Sequence, residues 1–263
     1  MKNRAKQLVK RAFSQTGFRI SRKETIDYLE SCAKSSMESN KILSLYSIIY
    51  DVDKQKLDAA LESRSQLGQD IFVLEQCGWK RNGWFVEFGA TDGRTLSNTW
   101  LLEQHFGWTG ILAEPARTWQ KALASSGRRA AIETDCVWSH SGQNLTFHET
   151  SYSEISTLAA FANSDFHDRV EAQQYEVRTV SLNDMLERHG APPDMDYLSI
   201  DTEGSEFEIL SNLDFARYRF RIITCEHNFT PRREDIHALL TDHGYIRQRE
   251  DISQFDDWYV LTD

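Results

Sequence analysis

Apolar and polar positions along this chain change their period twice. Residues 1–14 place Ala5, Leu8, Val9, Ala12 and Phe13 at helical spacing, with Arg4, Lys6, Lys10 and Arg11 mostly on the other side, the pattern of an amphipathic helix with a basic face. Residues 24–64 keep helical periods, with apolar clusters at 26–29, 42–50 and 57–61 and no Gly or Pro between them. At SQLGQD (65–70) a turn opens a short helix, and from residue 84 short apolar runs alternate with amphipathic segments. That alternation predicts a parallel sheet with helices on both faces.

In chain order, strands are expected at 84–88, 109–113, 130–134, 197–200 and 221–225. Residues 145–148 are also strand-like, and a closing antiparallel pair is expected at about 245–249 and 257–262. Helices are expected from Ser97 to Phe106 with Gly107 as the stop and, after strand two and Glu114-Pro115, up to Ser126 before Gly127. Another starts at Ser181, with Asp184 in a capping-box variant, and ends near Gly190. The last two cover 204–213 and a stretch capped by Thr230, with Pro231 at its first position, that stops at Gly244. The stretch 150–178 reads as irregular, a candidate substrate-covering lid carrying Tyr152, Ser156, Phe161 and His167. The expected fold is therefore α/β: a Rossmann-like, seven-stranded, mostly parallel sheet with an antiparallel last strand over 65–263, behind a helical extension at 1–64.

Composition supports a globular chain. Of 263 residues, 40% are hydrophobic and 11% aromatic, enough to fill the core of one large domain. No apolar run approaches the roughly 20 residues of a membrane span, and the start lacks the continuous apolar segment of a secretory signal. Cys32, Cys77, Cys136 and Cys225 are far apart, with no C-x-x-C pair, which fits reduced thiols in a cytosolic protein. Charge is uneven: residues 1–23 hold eight basic residues and no acid, and subtracting those eight from the formal −10 leaves −18 for the rest. So acidic a body argues against nucleic acid as a partner, since that affinity comes from neutralised phosphates. The basic start suits an anionic membrane surface or an acidic partner as well as a solvated terminus. The helices that follow it offer a packing surface for the main domain or for a second copy of the chain.

The candidate chemistry centres on WFVEFGATDGRTLSNTWLL (84–102). A strand there meets a helix through a turn holding Gly89, Ala90 and Gly93, where small residues let a ligand approach the backbone. Glu87 and Asp92 put carboxylates in or beside it. A phosphate at a helix N-terminus would disfavour them, so the ligand expected carries positive charge and hydroxyls, as S-adenosylmethionine does. Five predicted strands end in or beside an acid: Glu87, Glu114, Asp135, Asp201 and Glu226. Parallel strands share one carboxyl rim, so all five are expected to converge on one crevice. Glu114 stands where an acid binds ribose hydroxyls. Asp135 is placed to meet an adenine amino group or to form a simple strand-end turn, with Cys136 and Val137 beside the ring. Around Gly68, Gln66 and Gln69 are candidate substrate contacts, while Asp70 favours the helix dipole.

Six stretches together resemble the FkbM-type S-adenosylmethionine-dependent methyltransferases. They are SQLGQD (65–70), FVEFGATDGRTLSNT (85–99), GWTGILAEP (107–115), V-x-x-x-S-L-N-D (177–184), YLSIDTEGSEFEIL (197–210) and GY…DDWYV (244–260). Glu87 stands where the commonest family form has Asp. The resemblance implies a class I methyltransferase fold and O-methylation, often of sugar or polyketide hydroxyls, in the cytoplasm. It implies cofactor contacts from Glu87, Gly89, Ala90, Asp92, Gly93, Asn98, Glu114, Pro115, Asp135, Cys136 and Val137. Asp201 and the run Glu226-His227-Asn228 would face the methyl group. By similarity to small-molecule O-methyltransferases, Asp201, Glu226 and Asn228 would hold Mg²⁺; otherwise His227 or Glu226 is the base and Asp201 orients it. Glu203 is expected at the site, and Glu206 at a helix N-terminus. The rival readings are a non-catalytic cofactor- or glycan-binding subunit, and a nicotinamide enzyme, which the missing second glycine of G-x-G-x-x-G disfavours.

Overall fold

The computed structural model describes residues 54–150, 156–162 and 173–262. The basic helix expected at 1–14, the helices up to residue 53, Cys32, Tyr152 and His167 lie outside them. Helices α1 (Lys54–Leu61) and α2 (Gln69–Gln76) precede β1 (Trp84–Phe88), α3 (Trp100–Phe106), β2 (Thr109–Ala113), α4 (Arg117–Ala124) and β3 (Ala131–Glu133). Next come β4 (Cys136–Trp138), β5 (Asn144–Glu149), β6 (Thr157–Leu158) and β7 (Gln173–Ser181). The chain closes with α5 (Leu182–Arg188), β8 (Asp194–Ile200), α6 (Glu206–Leu210), β9 (Arg219–Glu226), α7 (Arg232–Asp242), β10 (Tyr245–Gln248) and β11 (Asp256–Leu261).

The main sheet has seven strands in the order β10-β11-β9-β8-β1-β2-β3. β3, β2, β1, β8 and β9 run parallel, and β11 is antiparallel to both of its neighbours. This is the Rossmann-like arrangement expected, with the last strand inserted between β10 and β9. The winding reverses between β1 and β8, so their carboxyl ends frame a crevice of the kind where open α/β sheets bind ligands.

Alternation along each strand loads two cores. On one face Val86 and Phe88 pack with Leu198, Ile200 and Ile223, beneath Met185 and Leu186 of α5, Ile209 of α6 and Ile236 of α7. On the other, Phe85, Leu112, Tyr197 and Ile222 pack with Ile71 and Phe72 of α2, Leu101 and Leu102 of α3 and the Trp258 indole. Cys77, Cys136 and Cys225 are buried free thiols. No helix among the described residues is long and apolar enough to cross a membrane.

The sequence-based elements need one substantial correction. The stretch read as irregular, 150–178, contains β6 and most of β7, and β7 pairs antiparallel with β5 from Asn144↔Arg178 to Glu149↔Gln173. Here the alternation is plain in hindsight: Val177 and Thr179 are buried, while Glu176 and Arg178 are exposed. With β4 and β6 this forms a second, four-stranded sheet, β4-β7-β5-β6. Thr157 of β6 ties it to the loop after β8, its hydroxyl donating to the Glu203 carbonyl at 2.9 Å. Helix starts also shift. Ser97 accepts from Trp100 N–H at 3.0 Å, but regular α3 begins at Trp100, and α7 begins one residue after Pro231. Ser181 does cap α5, accepting from Asp184 N–H at 3.1 Å.

Candidate active site

A cavity of about 410 Å³ opens at the carboxyl ends of β1, β2, β8 and β9 and is walled on one side by Phe147, Ser156 and Leu158 of the second sheet and its loops. Six carboxylates line it: Glu87, Glu114, Asp201, Glu203, Glu226 and Asp256. Among the described residues, no Lys, Arg or His does. Low-dielectric surroundings make such a collection of like charges costly without a cation or protons to offset it.

On the cofactor side, Gly89 lets the β1 turn touch the neighbouring strand end. Its φ is +67°, and a Cβ there would lie 2.4 Å from the Asp201 carbonyl oxygen. Gly89→Ala adds left-handed strain of about 1–2 kcal/mol and pushes on Asp201. We expect at least a tenfold weaker S-adenosylmethionine affinity, on the order of 1.4 kcal/mol, by calorimetry of a folded variant. Unchanged affinity would show that the close approach is irrelevant to the ligand.

Glu87 reaches the cavity but is tied to the following loop. It accepts Ser97 Oγ at 2.9 Å and Thr99 Oγ1 at 2.5 Å on Oε2, and Asn98 N at 2.6 Å on Oε1. Burial raises its pKa, opposed by Arg128 and these donors. Asn98 donates Nδ2 to Ser199 Oγ at 2.9 Å and leaves Oδ1 buried without a partner. Glu114 accepts Thr91 N and Ala116 N, both at 2.8 Å. Pro115, Cys136 and Val137 complete that wall, and so does Trp119, whose Nε1 is another buried, unpartnered atom. An unpaired acceptor at Asn98 and an unpaired donor at Trp119 are what a polar, partly aromatic ligand would satisfy.

Four expected contacts lie elsewhere. Asp92 does not line the cavity; it folds the turn by accepting Arg94 N at 2.8 Å and Thr95 N at 2.7 Å. Ala90 and Gly93 are also off the lining. Ala90 is buried in the core, and a Cβ on Gly93 would strike Leu123 of α4 at 2.7 Å. Asp135 leaves the rim because the chain passes from β3 into the second sheet, carrying its carboxylate to Arg188 Nη1 at 3.1 Å. Glu133, the last residue of β3, is held there too, by Arg188 at 2.8 Å.

At the chemical end, Asp201, Glu203 and Glu226 bring carboxylate oxygens within 4.8 Å of one another. Glu226 is 7% exposed, and its Oε2 has no partner. Burial first, then Asp201, Glu203, Glu206 and Asp256, hold its pKa well above the carboxylate range. Burial also pushes Asp201 up to about 6, against a hydrogen bond with Glu226. Glu206 is not a simple dipole acid. It folds back to accept Thr202 N and Gly204 N, each at 3.0 Å, and so shapes the turn that presents Glu203. Asn228 lines the cavity but points its Nδ2 at Glu203 Oε2, 3.4 Å away.

His227 is absent from the lining. Its ring is buried, Nδ1 accepts Phe229 N at 3.0 Å, and Nε2 faces Asp257 at 3.8 Å. Burial lowers its pKa. The expectation of a base at His227 is corrected: β9 turns its imidazole under the loop, away from the crevice. Gln66 and Gln69 do line the cavity, but Gln69 is engaged, donating Nε2 to Asp256 Oδ2 at 2.7 Å. Asp256 was not anticipated. The β11 register sets it directly opposite Glu226, and cross-strand neighbours in an antiparallel pair share a face.

Burial first, with Asp201 and other acids adding to it, raises Glu114 and Asp256 each to about 7. Groups that hold protons more tightly folded than unfolded stabilise the fold fully below the unfolded value of about 4, and that stabilisation fades as pH rises through about 7. The melting temperature of the ligand-free protein should therefore fall from about pH 4 to about pH 7 and level off above it, and a positively charged ligand should restore it most at the upper end. A flat profile would contradict the raised carboxyl pKa values.

A model of the FkbM methyltransferase domain matches residues 87–248. The chain belongs to the FkbM methyltransferase family. As a member of that family it is an S-adenosylmethionine-dependent methyltransferase. No curated protein matches it. Among solved structures it is similar to methyltransferase FkbM from Methylobacillus flagellatus KT, at 10% identity and TM-score 0.41, covering 89% of this chain and 62% of that one. It is also similar to precorrin-6y C5,15-methyltransferase from Geobacter metallireducens GS-15, at 11% identity and TM-score 0.40, covering 68% and 71%. A third, a putative RNA methyltransferase from Pyrococcus horikoshii, is 9% identical with TM-score 0.38, covering 87% and 100%.

Proposed function

We propose that this FkbM enzyme transfers the methyl group to oxygen, on a sugar hydroxyl of a glycan or glycosylated metabolite. The observation that carries this reading is the buried, unpartnered Glu226 Oε2 beside Asp201 and Glu203. Bound S-adenosylmethionine supplies an electrophilic methyl on a positive sulfur, so the chain has only to align a nucleophile about 3 Å away. A sugar hydroxyl is a poor nucleophile until it loses its proton, and a carboxylate of raised pKa is suited to take it. Glu226 Oε2 accepts that proton, and Asp201, with a carboxylate oxygen within 4.8 Å of one on Glu226, orients it. The cofactor suits the cavity: its positive charge answers six acids, and Asn98 Oδ1 and Trp119 Nε1 gain partners.

A second reading keeps the same acceptor and adds a divalent ion. Asp201, Glu203 and Glu226 form an all-oxygen set suited to Mg²⁺, with Glu203 rather than Asn228 as the third ligand. Such an ion would lower the acceptor's pKa. Dialysis against EDTA separates the two. Loss of at least about tenfold in turnover, restored by Mg²⁺, assigns the ion, and full activity assigns the proton to Glu226 alone. The whole proposal is tested by supplying labelled cofactor with a panel of pyranosides and locating the label by NMR. Methyl on carbon or nitrogen would sink it. Tight cofactor binding without turnover on any acceptor would favour a non-catalytic binding subunit.

A further inference from the structure

Four large apolar side chains are exposed among the described residues, and two of them, Leu96 at 49% and Phe229 at 66%, belong to loops that reach this cavity. Leu96 lines it, and Phe229 follows the lining residue Asn228. Both sit in left-handed backbone, each at φ +56°, as does Asn228 at +44°. Non-glycine residues in that region are strained, and such strain concentrates at functional sites. Two consecutive cases at 228–229 need support from outside, and the structure supplies it. His227 N and Asn228 N both donate to the Phe255 carbonyl, at 2.9 and 3.3 Å, and Thr230 N donates to the His227 carbonyl at 2.8 Å. Phe229 N closes the turn on His227 Nδ1 at 3.0 Å, and the imidazole meets the phenyl edge-on at 5.3 Å. Two strained residues and a buried histidine thus hold one phenyl ring in water.

We propose that Phe229 is the platform on which the acceptor's ring lies, with Leu96 as the apolar stop on the opposite bank and His227 as the residue that positions the platform. The inference rests on the sugar-hydroxyl reading and sharpens it: the acceptor presents an apolar C–H face, as a pyranose does, to an aromatic ring. β1 and β9 flank β8, so the loops carrying Leu96 and Phe229 start about 10 Å apart, the span of one sugar ring with its hydroxyls. Among the described residues the lining contains no Lys or Arg, so none of them offers a cation to a phosphate or carboxylate on that ring.

The test uses the full chain saturated with S-adenosylhomocysteine, with methyl α-rhamnopyranoside and methyl β-glucopyranoside as probes and sorbitol as the acyclic control. Saturation-transfer NMR should mark the C–H protons of one ring face of a pyranoside, and leave sorbitol unmarked. Phe229→Ala should abolish that signal and raise the acceptor KM about three- to tenfold, the range expected for one aromatic contact, with kcat and the S-adenosylhomocysteine Kd unchanged. Phe229→Tyr should restore both. Equal marking in Phe229→Ala, or a drop in kcat without a change in KM, would overturn the platform. A dimer in the wild type that becomes monomeric in Phe229→Ala would overturn it too, by assigning the ring to a contact between copies. If neither pyranoside binds while S-adenosylhomocysteine does, the platform falls but the methyltransferase stands. If S-adenosylhomocysteine itself fails to bind, the cofactor assignment of this cavity falls with it.

Discussion

Asp201→Asn should lower kcat by roughly 10²- to 10⁴-fold, the usual contribution of a group that manages proton transfer, while cofactor affinity changes little. The carboxylate follows the last residue of β8 at the centre of the sheet, with an oxygen within 4.8 Å of one on Glu226. With burial and the neighbouring acids, it also holds the Glu226 pKa well above the carboxylate range. An amide of the same shape keeps the packing but removes one negative charge and one acceptor. Glu226 then holds its proton less tightly and loses the partner that aims it. The measurement is steady-state turnover alongside calorimetric titration of S-adenosylhomocysteine, which separates chemistry from binding. A loss below tenfold would move the reacting centre away from the β8–β9 end.

The largest stability effect should come from a residue with no direct contact to the cavity. Arg128→Met should destabilise the fold by about 3–5 kcal/mol, the cost of breaking a buried ion pair from one side, and lower the melting temperature by about 10 °C or more. The Arg128 side chain is 1% exposed, and its Nε donates to Glu103 Oε2 at 2.7 Å, where Glu103 is fully buried. Its other nitrogens hold the loop after β1: Nη1 donates to the Gly93 carbonyl at 2.5 Å and Nη2 to Thr99 Oγ1 at 2.7 Å. Glu87 lies 4.0 Å from Nη1, so the same cation offsets the carboxylate that ties down 97–99. Cofactor affinity should therefore fall along with stability. The double variant Arg128→Met, Glu103→Gln should recover part of the stability, because it no longer strands a buried charge. If the double variant is no more stable than the single, the ion pair is not the cause.

Both predictions bear on what was legible beforehand. Asp201 was readable because a strand's end is a local fact: a buried run of YLSI followed by an acid puts that acid on the rim. The same reasoning placed Glu87, Glu114 and Glu226 at the cavity, and placed Asp135 there as well. It had no means of seeing that Arg188, more than fifty positions later, draws Asp135 away. Nor could it see that Arg128 lies beneath the loop it stabilises. In sequence, Gly-Arg-Arg after a helix is an ordinary solvated turn.

By itself the sequence determined the alternation of strands and helices, the turn at Gly89, the family and the acidic character of the rim, because periodicity and turn chemistry act over a few residues. Tertiary structure decided which of those acids meet. The insertion of β11 between β10 and β9 brings Asp256 opposite Glu226, and the second sheet closes the wall and removes Asp135 from the lining. His227 is turned beneath its own loop, where it positions Phe229. Those outcomes depend on register between strands 30 or more positions apart, and on ion pairs whose partners are chosen only when the chain is packed.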